Sequence, residues 1–89
     1  MPERNDRPKS ERKFRSMTLA TIALDHIAAA YGPRRHATEH LARTTDATPN
    51  AARNWLRGLN APHAEHIGAM IERDPEFRAK VRAWLDTLP

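Results

Sequence analysis

Apolar residues recur along this chain at helical spacing, and polar clusters with proline or glycine break the recurrence into five stretches. Leu19, Ile22, Ala23, Ile27, Ala30 and Tyr31 fall at i, i+3 and i+4 intervals, which predicts a first helix with one buried face. Ser16 or Thr18 is placed to cap it, and Gly32-Pro33 ends it, with glycine in the left-handed position after the helix. Arg34-Arg35-His36 is a short basic connector. Thr38 opens a second, short helix with Leu41 and Ala42 facing inward, and Thr44-Thr45-Asp46 breaks it. Thr48-Pro49 is a strong start signal: the threonine oxygen accepts from unpaired backbone N–H groups, and proline has none to lose in the first turn. The third helix runs from Pro49 to about Arg57 and stops at Gly58. A fourth begins at Asn60-Ala61-Pro62, with Ile67, Met70 and Ile71 as its apolar stripe. Asp74-Pro75 starts a fifth, which carries Phe77, Val81, Trp84, Leu85 and Leu88 along one side. No stretch alternates as a strand would, and no repeat is present. The expected fold is all-α, a small five-helix domain with a central helix-turn-helix.

The 89 residues do not all contribute to that domain. Residues 1–16 contain Met1 and Phe14 as their only sizeable apolar side chains and two prolines, so they read as a disordered basic arm preceding a helical domain at 17–89. About seventy residues bury only a modest core, which makes a large enclosed active-site cavity improbable. There is no cysteine, hence no disulfide framework and no cysteine-based zinc site. No apolar run approaches the ~20 residues that span a bilayer, and charges interrupt the N-terminus where a signal peptide needs apolar residues. A cytoplasmic protein is the expectation.

Charge sharpens the picture. Residues 1–16 carry six basic against three acidic side chains, and residues 34–57 carry five arginines against two acidic residues, on an otherwise near-neutral body. Two basic segments point to a polyanionic partner, double-stranded DNA before membrane. On the third helix Ala52, Trp55 and Leu56 face inward, so Asn50, Arg53, Asn54 and Arg57 face solvent. Asparagine pairs bidentately with adenine and arginine with guanine, and arginine also neutralises phosphate. Thr48, Arg34, Arg35 and Thr38 complete the candidate DNA-binding set. Ala42 is the small residue that lets the third helix approach the second, and Asp46 is the turn residue that accepts positive φ.

The stretch HLARTTDATPNAARNWLRGLNAPHAEHIGAM resembles the DNA-binding domain of the lambda-repressor/Cro (XRE-like) helix-turn-helix family. The matching residues are Leu41-Ala42, Thr48, Trp55, Gly58, Pro62 and Ile67. The resemblance implies a small transcriptional regulator, a repressor of bacterial or phage type, acting as a homodimer on a near-palindromic site. Three departures stand out: Asp46 replaces the usual glycine, Ala52 is smaller than the usual Val or Ile, and Pro49 occupies a position that in the family often reads bases.

Other readings compete. His36/His40 and His63/His66 have helical spacing but lack a third ligand, so no metal or other cofactor is expected; His36, His40 and His63 suit positions near phosphate. Asp25 and His26 are sequence neighbours, which sends them to different sides of a helix, and no catalytic constellation emerges. An enzyme is not expected, and without a ligand-sensing domain neither is a small-molecule ligand. The rival to DNA binding is a helix-turn-helix used for protein contact, in an inhibitor, an adaptor or a phage packaging subunit. Phe77, Val81, Trp84 and Leu88 either close over the first helix or form a homodimer surface.

Overall fold

The structure, a computed structural model, describes residues 18–89. The basic arm at 1–16 lies outside the described residues. Five helices follow one another: α1 (Leu19–His26), which runs on into a π-helical turn (Ile27–Tyr31), α2 (Ala37–Thr45), α3 (Pro49–Leu56), α4 (Ala64–Arg73) and α5 (Pro75–Leu85). The all-α expectation holds, and the described residues contain no strand and no helix long and apolar enough to cross a membrane.

Local chemistry accounts for most boundaries. The hydroxyl of Thr18 accepts from the Thr21 amide at 3.2 Å, that of Thr48 from Ala51 at 3.1 Å, and the carboxylate of Asp74 from Phe77 at 3.1 Å. Each such cap is worth about 1 kcal/mol. Gly58 takes the left-handed conformation after α3, at φ 72°. Two boundaries differ from the sequence expectation. The fourth helix begins at Ala64, because Pro62 is buried in the preceding loop instead of opening the first turn. Gly32 is right-handed, at φ −51°, and the left-handed residue of that connector is His36, at φ 57°. What position 32 demands is closeness: a Cβ there would stand 2.6 Å from the Ala28 carbonyl oxygen.

The core joins Ile22, Ala23, Ile27 and Tyr31 to Leu41, Ala42, Ala52, Trp55, Ile67 and Met70, with Phe77 and Val81 from α5. Phe77 and Val81 therefore close over α1 and belong to the monomer core, not to an exposed dimer surface. Of the four residues considered for a homodimer, Trp84 is half-buried and only Leu88 is exposed, beside Leu85. Leu88 lies past the end of α5, so its helical spacing from Phe77 no longer places it on the same face.

A polar group sits inside this core. His26 Nε2–H donates to Asp74 Oδ2 at 2.9 Å, and the Tyr31 hydroxyl donates to the same oxygen at 2.7 Å. At about 100° per residue, five steps along a continuous α-helix would turn His26 and Tyr31 well apart. The π turn, in which the Gly32 amide bonds back to the Ile27 carbonyl at 3.0 Å, takes up one extra residue and brings both side chains to one acceptor. Burial alone would raise the Asp74 carboxyl, but the hydrogen bonds from Tyr31, His26 and the Phe77 amide outweigh it and hold the group below its ordinary value. Burial, and then the bond to Asp74, push the Tyr31 phenol up to about 12. His26 thus has its carboxylate partner 48 residues away, not at the adjacent Asp25.

Candidate nucleic-acid interface

The angle between α2 and α3 depends on how α2 ends. Its last four carbonyls have no partner within the helix and must find one elsewhere. Here all four do. Ala42 O accepts from the Asp46 and Ala47 amides, the latter at 3.0 Å. Arg43 O and Thr44 O accept from Arg73 Nη1 at 3.2 and 3.5 Å, and Thr45 O accepts from His66 Nδ1 at 2.8 Å. Asp46 occupies the left-handed region at φ 60°, as its turn position requires, and its carboxylate meets Arg73 Nη1 at 2.9 Å. The hydrogen bond to Arg73 lowers the Asp46 carboxyl and raises the guanidinium in turn. Two small buried residues, Ala42 and Ala52, line the tight packing of α2 on α3. The helix-turn-helix is therefore held from behind by α4, through two side chains, Arg73 and His66.

Arg73→Ala should leave the core intact, because an exposed ion pair is heavily screened. It should instead loosen the turn, so hydrogen exchange at the Asp46 and Ala47 amides should accelerate several-fold while core amides stay unchanged. Unchanged exchange at those two amides would show that the turn holds without α4.

Helix α3 presents the expected faces with two adjustments. Ala52 and Trp55 are buried, whereas Leu56 is only half-buried. Asn50, Arg53 and Arg57 are exposed, and Asn54 is half-buried. Thr48 is exposed, but its hydroxyl oxygen is committed to the cap of α3. A cleft of about 250 Å³ brings Thr48, Asn50 and Asn54 together with Asn60, His63 and His66. Asn60 and His66 were not among the residues the sequence pointed to. The helical spacing of His66 from His63 was the available signal, and the ring of His66 packs 5.3 Å from that of Trp55.

Arg34, Arg35 and Thr38 form a separate group at the start of α2. The Arg34 guanidinium lies 4.6 Å from the centre of the Tyr31 ring and also meets His40 Nε2, so this arginine is oriented before any ligand arrives. Arg35 is exposed and Thr38 half-buried in the first helical turn. Among the described residues the ion pairs are Arg73–Asp46 and His26–Asp74, which leaves the charges of Arg35, Arg53 and Arg57 without an acidic partner.

His26, Asp74 and Glu76 bring three potential metal-ligand atoms within 4.8 Å of one another. The donor set does not fit a metal. His26 Nε2 and Asp74 Oδ2 already bond to each other, and a ligating histidine needs a partner for its second ring nitrogen. Nδ1 of His26 has none. Comparison with protein-family models, with curated proteins and with solved structures finds no match, so the functional reading rests on the geometry of the chain itself.

Proposed function

We propose that the protein binds double-stranded DNA through α3 and acts as a small transcriptional regulator, a repressor. One observation carries this reading: a capped helix, fixed against its neighbour by a fully satisfied turn, presents Asn50, Arg53 and Arg57 to solvent, and no acidic residue among the described ones pairs with the two arginines. Rigid presentation of hydrogen-bonding side chains is what base reading in a major groove needs, and uncompensated positive charge is what phosphate attracts. The cleft beside α3 adds Asn60 and His63 as neighbours of that surface.

The test is selection of bound sites from a random duplex pool, followed by binding measurements on the selected site. Asn50→Ala and Arg53→Ala should each cost about 1–3 kcal/mol and relax preference at one base position. Arg57→Ala should weaken binding at all sequences and lower the salt slope by about one. No enriched site, together with no salt-dependent retention of any fragment at low salt, would remove the DNA reading and favour a protein partner.

One short recognition helix specifies too few base pairs to find an address among ~10⁶ or more competing sites. Two copies on a near-palindrome are therefore part of the proposal. With Phe77 and Val81 in the core, the large apolar residues exposed among the described residues are Leu59, Leu85 and Leu88, at 66%, 53% and 48%, and Leu85 and Leu88 lie together at the end of α5. A protein that remains monomeric on its selected site would remove the dimer.

A further inference from the structure

On the side of the domain formed by α1 and α5, a cleft of about 380 Å³ is lined by Ile22, Ala29, Ala83 and Trp84, with His26 in its wall. Asp25 and Lys80 are its charged members, and both stand exposed to solvent. The volume falls in the range of small-ligand sites, roughly 300–1,000 Å³.

His26 makes this more than an apolar groove. The residue is 1% exposed, and its Nδ1 is the buried side-chain nitrogen, among the described residues, that has no hydrogen-bond partner. A buried polar atom without a partner forfeits its solvation and gains nothing in return, so it is rare and calls for an occupant. The opposite nitrogen is committed: Nε2 donates to Asp74, whose carboxylate also accepts from Tyr31 and from the Phe77 amide. A neutral ring therefore leaves a lone pair at Nδ1, and a protonated ring leaves an N–H. A hydroxyl serves either one, as donor to the first or acceptor from the second. Water alone is a poor candidate, because an ordered buried water needs two to four polar partners and the aliphatic and aromatic wall offers few.

We infer that this cleft binds a small, neutral aromatic compound bearing one hydroxyl, with its ring against Ile22, Ala29, Ala83 and Trp84 and its hydroxyl on Nδ1 of His26. The side chain of His26 has no exposed area of its own, so the hydroxyl reaches Nδ1 only as the side chains lining the cleft shift apart. The site does not rest on the DNA reading and contradicts the expectation that no small-molecule ligand is bound.

The test uses the full chain, labelled with ¹⁵N and titrated by NMR with phenol and, separately, with toluene, which has the same ring and no hydroxyl. Phenol should give saturable shifts at the Trp84 indole and at the Ala29 and Ala83 amides. Toluene should bind roughly fivefold more weakly or worse, as expected when a hydrogen bond to a buried acceptor is missing. Ala83→Trp, an exposed position that leaves His26 untouched, should fill the cleft and abolish the phenol shifts with the melting temperature retained; Ala29→Phe does the same from the α1 side should the first variant fail to fold. The inference is overturned by phenol shifts absent from these residues, by equal binding of the two compounds, or by phenol binding that survives a folded, plugged variant.

Discussion

Replacing Asp74 by alanine should unfold much of the domain at temperatures where the parent is stable. One carboxylate performs three jobs here: it caps α5 and it accepts from both His26 and Tyr31 in the core. Loss of the cap costs about 1 kcal/mol. Two buried donors left unpaired add about 1–3 kcal/mol each. Small domains have total stabilities toward the low end of 5–15 kcal/mol, so a loss of several kcal/mol is decisive. Asp74→Asn, which keeps an acceptor oxygen, should fall between parent and Asp74→Ala in thermal melts followed by circular dichroism. An alanine variant with the parent melting temperature would mean that the three contacts contribute nothing net.

The same carboxylate sets an acid limit. Its folded-state pKa is depressed, so its contribution is complete above the unfolded value of about 4 and is lost as pH falls through the folded value. Stability should accordingly decline as the solution is acidified below the ordinary carboxylate range. Asp74→Asn should show a shallower decline over that interval.

Trp55→Ala should be comparably severe. Trp55 is 5% exposed and joins α3 to the core, and its ring packs against His66, which in turn holds the Thr45 carbonyl at the end of α2. Truncating a buried tryptophan costs roughly 3–5 kcal/mol, and here the cavity opens beside the turn that orients α3. Phenylalanine at this position should recover most of the melting temperature. A soluble alanine variant that melts with the parent would show that α3 is not anchored through Trp55.

What could be read from the sequence was what local chemistry determines. Thr48-Pro49, Asp74-Pro75 and Gly58 each act within a few residues of themselves, and each stands where it was expected. The left-handed turn at Asp46 was legible for the same reason. The further roles of Asp46 and Asp74 were not, because their partners, Arg73 for one and His26 and Tyr31 for the other, are distant in the chain. The π turn was hidden for a different reason: Ala28-Ala29-Ala30 carries no contrast between apolar and polar positions, so a change of helical period leaves no trace in it. On the candidate DNA face, the exposed side of α3 followed from the burial of Ala52 and Trp55. Asn60 and His66 join it only through the way the following loop and α4 fold back.

That alanine run has a consequence for how the chain can vary in length. Ala28 and Ala29 are exposed, so changes of side chain there meet little resistance. Removing one of the three alanines should be tolerated too. The segment would lose the residue that the π turn absorbs and return to the ordinary helical period, in which His26 and Tyr31 stand four steps of about 100° apart and stay on one face. An added residue is another matter: it turns Tyr31 by about a further 100° relative to His26 and takes its hydroxyl away from the acceptor the two share. Over these few residues a deletion should be tolerated where an insertion is not, and single deletions and insertions across Ala28–Ala30, followed by thermal melts, would measure the contrast.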